Sequence, residues 1–113
     1  MNEKYERQMK KGVLDMLVLK LLESEPKYGY QIIQELKEKR GETFLLKDGT
    51  LYPILYRLED DQLVTARWSE AKDRQVPRKY YEITKAGLMA LHEIEAVWKH
   101  MSEGISKIMG GSI

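Results

Sequence analysis

Two histidines, His92 and His100, are the only imidazoles in the chain, and it has no cysteine. The histidines lack carboxylate neighbours at ligand spacing, no histidine pair stands at i, i+4, and no glycine-rich phosphate loop is present. The sequence therefore argues against an enzyme, a metal centre or a bound cofactor. Its distinctive chemistry lies in hydroxyl, phenol and guanidinium groups at two places. The first is the stretch DGTLYPILYRLED, residues 48–60. Its Leu51, Ile54, Leu55 and Leu58 make an i, i+3, i+4, i+7 stripe, and opposite them on a helical wheel lie Gly49, Tyr52, Pro53, Tyr56 and Arg57. A solvent-facing helix ordinarily carries Lys, Glu and Gln there. Thr50 and Tyr52 can hydrogen-bond phosphate oxygens or base edges, Arg57 adds a charged fork, and Gly49 leaves room for close approach. The second place is a polar stretch in which Lys72, Arg74, Arg78 and Lys79 outnumber Glu70 and Asp73, a local excess suited to tracking phosphates. Lys4, Arg7, Lys10 and Lys11, set against Glu3 and Glu6, make the N-terminal arm a third basic candidate.

The elements that must hold these groups follow from periodicity. Leu14, Leu17, Val18, Leu21 and Leu22 predict a first helix from about Lys11 to Glu23, stopped by Ser24-Glu25-Pro26. Ile32, Ile33 and Leu36 predict a second from about Tyr28 to Arg40, with Gly41 as its stop. The leucine stripe predicts the third, capped by Asp48 or Thr50. Under the Thr50 cap Pro53 lacks only an unused N–H; under the Asp48 cap it removes a helical bond. The period then falls to two. Residues 63–68 and 79–83 are β-branched and aromatic runs that should pair as a hairpin with a long projecting loop. Tyr81, in phase with Ile83, belongs to the core. Thr84 should cap a last helix reaching about Met109. On it Leu91, Ile94, Trp98, Met101 and Ile105 form a heptad-like seam. Such a helix is roughly 38 Å long, more than so small a domain covers, so the seam is expected to meet a second copy of the chain.

The expected fold is mainly α within the α+β class: a winged helix-turn-helix over residues 1–84, a long C-terminal dimerisation helix over 85–109 and a loose tail at 110–113. In that fold the third helix enters the DNA major groove and the hairpin is the wing. The net charge is only +1, so a nucleic-acid partner rests on these local patches. The charged N-terminus and the absence of a long apolar run point to neither secretion nor a membrane span, and the lack of cysteine fits the reducing cytoplasm.

The segments YGYQIIQEL, GTLYPILYRLE (Gly49 to Glu59) and PRKYYEITKAG (Pro77 to Gly87), in this order, resemble the PadR family of bacterial transcriptional regulators. The likeness runs over nearly the whole chain. It implies a winged-helix homodimer on a pseudo-palindromic operator, usually a repressor released by a small molecule or stress signal. It further implies DNA contacts near Tyr28, Thr50, Tyr52, Arg57, Arg78 and Lys79. The short C-terminal region is similar to the smaller branch of the family, in which flat aromatic or cationic compounds bind between the terminal helices. At the wing, Gln75-Val76-Pro77 stands where relatives often carry Gly-Arg-Pro, so that one positive charge is absent or moved to Arg74. Trp98 reads either as seam packing or as a stacking surface for such a compound. The competing class is a winged-helix adaptor that binds another protein instead of DNA.

Overall fold

Asn2 opens the chain's first helix. Its side-chain carbonyl accepts from the Lys4 N–H (2.9 Å) and the Tyr5 N–H (3.3 Å), so residues expected to be a basic arm are helical, α1 at Glu3–Lys10. Gly12, at φ 81°, turns the chain into α2 at Val13–Leu22. The computed structural model describes residues 2–40, 44, 46–70 and 76–110; Gly41, Lys72 and Arg74 lie outside them. After α2 come β1 (Lys27–Tyr28), α3 (Gly29–Arg40), α4 (Asp48–Asp60), β2 (Val64–Trp68), β3 (Lys79–Ile83) and α5 (Lys85–Ile108). The fold is mostly helical with one small antiparallel sheet, a winged helix.

The sheet has three strands, in the order β1-β3-β2, where periodicity gave only a hairpin. Lys27 pairs with Tyr81 and Tyr28 with Tyr80. A two-residue strand is too short to show a period. What holds it is Lys27, a buried lysine whose ammonium donates to the Leu21 carbonyl (2.8 Å) and the Ser24 hydroxyl (3.2 Å) and forms an ion pair with Glu35 at 3.0 Å. The ammonium thus satisfies an end carbonyl of α2 and ties β1 to α3.

The core gathers one face each from α2, α3, α4, β2, β3 and α5: Val18, Leu19 and Leu22 of α2, Ile32 of α3, the whole α4 stripe, Val64, Tyr81 and Leu91. Burying Leu51, Ile54, Leu55 and Leu58 fixes the rotation of α4, so its unusual face points outward by necessity. The start of α4 differs from both expected caps. Lys47 is the capping position, with no side-chain bond, which makes Pro53 the sixth helical residue and deprives the Gly49 carbonyl of its donor. At the other end Gln62 takes a left-handed φ of 62°. There the Leu63 N–H reaches the Leu58 carbonyl and the Gln62 N–H the Glu59 carbonyl, both at 2.9 Å, a Schellman closure built without glycine.

Leu91, expected on an intermolecular seam, is instead fully buried in the chain's own core. The first turns of α5 lie on α2 and β3, so the stripe serves the domain before it can serve a partner. Thr84 caps α5 as expected: its hydroxyl accepts from the Gly87 N–H (3.0 Å) and donates to the Gln62 carbonyl (2.8 Å).

Tyr81 has a fully buried ring and a hydroxyl without a hydrogen-bond partner among the described residues. Burial pushes its phenol from 10.0 up to about 12. The unfolded chain therefore ionises first: stability is intact below about pH 10 and falls as pH rises toward 12, with a slope approaching about 1.4 kcal/mol per pH unit. Tyr81→Phe should flatten that alkaline slope. Near neutral pH it should leave stability within about 1 kcal/mol of wild type or raise it, because the lost hydroxyl had no partner. Urea unfolding of both proteins at neutral and alkaline pH checks this, and a neutral-pH loss above about 2 kcal/mol would show a bonded hydroxyl.

Candidate nucleic-acid interface

The outer face of α4 and the inner end of the hairpin converge on one cleft of about 340 Å³, lined by Tyr28, Gly29, Tyr30, Tyr52, Tyr56, Trp68, Arg78, Lys79 and Tyr81. The sheet register explains the convergence. Trp68 pairs with Lys79 and Ala66 with Tyr81, so these side chains share the face turned toward α4. The pairing continues past the strand ends, where Ser69 N–H donates to the Arg78 carbonyl and Arg78 N–H to the Ser69 hydroxyl, both at 2.8 Å. Arg78 is therefore held by its backbone, on the hairpin limb beside Tyr28.

Two cations are set against aromatic faces. The Arg78 guanidinium lies 4.6 Å from the centre of the Tyr28 ring and donates to the Tyr28 hydroxyl at 3.2 Å, while Tyr80 meets Tyr28 edge-on at 5.4 Å. The Lys79 ammonium sits 5.5 Å from the Tyr56 ring and 5.4 Å from the Tyr81 ring, with Glu59 at 3.8 Å. These contacts orient both cations without neutralising Arg78, whose side chain stays exposed. Phenol hydroxyls, a guanidinium and an ammonium presented together suit phosphate oxygens and polar base edges.

The candidates from α4 separate in space. Gly49 and Thr50 are exposed on its first turn. Tyr52 is half-buried, tilted against Tyr56 at 6.1 Å between centroids, and its phenol is pushed up by burial and then by Asp48 and Tyr56. Its hydroxyl lies over Gly29, where a Cβ would fall 2.5 Å from the oxygen. Tyr52 thus packs against the start of α3 as well as facing the cleft. Arg57 points elsewhere. Its guanidinium donates to the Asp15 carboxylate of α2, a contact that holds it above its ordinary range. Arg74 is outside the described residues, so the structure brings together Tyr28, Tyr52, Arg78 and Lys79 and leaves Arg57 on the α2 side.

Sequence reasoning passed over Tyr30 and Trp68, both exposed and both lining the cleft. Tyr30 follows Gly29 in the first turn of α3, off the Ile32–Leu36 face. Trp68 ends a strand whose alternation puts it on the Val64 face, the one available signal for it.

On α5 the seam residues also divide. Leu91 is core and Ile94 packs against the core from its edge, but Trp98, Met101 and Ile105 are each about half exposed, and Ile108 is nearly bare. Trp98 borders a shallow depression of about 410 Å³ with Met16, Lys20, Glu95 and Lys99. Around it Glu23 is held below its ordinary value by a hydrogen bond from Lys20. No described helix is long and apolar enough to cross a membrane.

Residues 18–93 match the transcriptional regulator PadR-like family. A PadR-like transcription factor from Bacteroides fragilis has a similar solved structure, with TM-score 0.77 and 42% identity over 94% of this chain and 99% of that one. A PadR family transcriptional regulator from Eggerthella lenta is similar at TM-score 0.80 and 35% identity, over 93% and 88% of the two chains. The negative transcriptional regulator PadR of Bacillus subtilis is 31% identical over 81 residues, which are 72% of this chain and 44% of that protein.

The Gly29–Tyr52 contact has a measurable signature. Gly29→Ala alone should cost about 1–2 kcal/mol, because the new methyl displaces the Tyr52 ring. In a Tyr52→Ala background the same change should cost nothing or stabilise α3, which gives a coupling of about 1–2 kcal/mol in a double-mutant cycle of urea midpoints. Additive effects would mean that the ring does not rest on Gly29.

Proposed function

Because this chain belongs to the PadR-like family of transcriptional regulators, we propose that it acts in the cytoplasm as a homodimer on double-stranded DNA, repressing transcription until a small molecule releases it. The observation that carries this reading is the single cleft in which α4 and the wing present Arg78 and Lys79 among tyrosines. Tyr28, Thr50 and Tyr52 supply neutral hydrogen bonds, Gly49 permits close approach at the α4 N-terminus, and Arg78 and Lys79 hold phosphates. Arg74, four residues before Arg78 in the sequence, would add a further cation. Arg57, bonded to Asp15, acts first by fixing α4 against α2 and meets the backbone only from that position.

Residues 1–84 would then form the DNA-binding unit and residues 85–109 the dimerising helix, with 110–113 a tail. The uncovered residues Trp98, Met101 and Ile105 supply the apolar face between two copies, continued on its core side by Ile94. Half-sites about one helical turn apart, roughly 34–36 Å, require the two α4 helices at that separation. A planar aromatic or cationic effector stacking on Trp98, with Glu95 at hand as counter-charge, would change the splay of the α5 pair and misregister one half-site. Repression matches the Bacillus subtilis relative, a negative transcriptional regulator.

Binding to duplex DNA should weaken steeply with salt, and Arg78→Ala and Lys79→Ala should each lower the log–log slope by about 1. Unaltered slopes in both variants would remove the wing from the interface, and no duplex binding even at low salt would end the DNA reading. For the effector, planar aromatic cations should quench the tryptophan emission, and Trp98→Ala should abolish the response while Trp68 still emits. Undiminished quenching in that variant would dismiss the Trp98 site.

A further inference from the structure

Trp68 is a large apolar side chain that neither the core nor the proposed ionic contacts use. It is the last residue of β2, on the same face as Val64 and Ala66, yet 66% of it is exposed. Burial falls along this face of the strand, from buried Val64 through half-buried Ala66 to exposed Trp68. The indole therefore stands at the open rim of the cleft, directly across the ladder from Lys79 and one residue from the Ser69–Arg78 pairing. Directly opposed residues on one sheet face hold their Cβ atoms about 5 Å apart, so an apolar ring and an ammonium are offered side by side to whatever enters.

We propose that Trp68 is the non-ionic DNA contact of the wing, its ring packing on deoxyribose and base edges of the backbone segment whose phosphates Arg78 and Lys79 hold. The inference rests on the DNA reading above. The occupant follows from charge and continuity: two cations line the same cleft as the indole, and that cleft is also lined by the outward tyrosines of α4. A sugar–phosphate strand carries both anionic and apolar groups, and Arg78, Lys79 and Trp68 offer cationic and apolar groups in one cleft. An aromatic ring contributes through buried area, which salt does not screen, whereas each cation contributes through counterion release. The two kinds of contact are therefore separable by experiment.

The test titrates wild-type protein, Trp68→Ala, Trp68→Phe and Arg78→Ala against a fluorescein-labelled duplex of the DNA immediately upstream of the protein's own coding sequence, over a salt series starting low. Trp68→Ala should weaken binding about tenfold to a hundredfold at every salt concentration with an unchanged log–log slope, and Trp68→Phe should restore part of the loss. Arg78→Ala should instead flatten the slope. DNA should alter the wild-type tryptophan emission, and Trp68→Phe should remove that change. An affinity within twofold of wild type in both Trp68 variants, a slope altered by Trp68→Ala, or a DNA-dependent emission change surviving whole in Trp68→Phe would each overturn the inference while the DNA reading stands. Absence of duplex binding by the wild type at low salt would overturn both. Because the indole is exposed, thermal unfolding of Trp68→Ala should stay close to wild type; where it does not, the ring-retaining Trp68→Phe decides through the emission readout.

Discussion

The whole arrangement depends on a knot of backbone hydrogen bonds around Leu63. Its N–H closes α4 onto the Leu58 carbonyl, its own carbonyl accepts from Thr84, and the Thr84 hydroxyl bridges Gln62 to the first turn of α5. Gly87 lies so close to the Leu63 carbonyl that a Cβ there would fall 2.1 Å from the oxygen. Four segments, the end of α4, the start of β2, the end of β3 and the start of α5, are thereby joined as one body. The left-handed Gln62 costs roughly 1 kcal/mol as a non-glycine, a cost offset by the satisfied carbonyls at a helix end that is partly buried. Through that joint α5 and α4 are linked by direct hydrogen bonds with no intervening loop.

A second constraint is electrostatic. The chain is nearly neutral, yet its cleft face is cationic because acidic partners are disposed elsewhere: Asp15 occupies Arg57, Glu82 faces Arg67 on the opposite side of the sheet, and among the described residues only Glu59 approaches Lys79. Resting Arg78 on Tyr28 rather than on a carboxylate keeps its charge available while limiting its rotamers, so less ordering remains to be done on contact with an anion. Low net charge with a focused patch favours a site chosen by shape over indiscriminate adhesion to polyanions.

Much of this was legible in the residues themselves. The α4 stripe, the β2–β3 pairing, the Thr84 cap and the inward Tyr81 all follow from spacing, since burial of one face is what the spacing encodes. The family likeness rested on the TLYP and RKYY blocks and agrees with the matched span. What spacing could not reveal were elements with too few residues to be periodic or with their signal in the backbone. β1 is two residues held by a buried lysine, α1 is charged and carries no buried residue, and the α4 start uses neither polar residue that could have capped it. Leu91 was misplaced because a helical stripe records only that it is covered, and the covering surface here is α2. Arg57 shows the same limit for charge: a wheel gives its direction, while its partner, Asp15, sits 42 positions away in sequence.

The seam of α5 changes owner part-way along its length, from the chain's own core at Leu91 to open surface at Trp98, seven residues later. Each residue of a helix adds about 100° of turn and 1.5 Å of advance. A single insertion or deletion between those two positions would leave the folded half untouched and swing the exposed half by more than a quarter-turn. Length drift in this stretch is thus tolerable mainly in steps of seven, which nearly restore the phase while moving the outer half along by about 10 Å. In the proposed homodimer, evolution could in this way change the reach between the two copies without redesigning either of the surfaces at its ends.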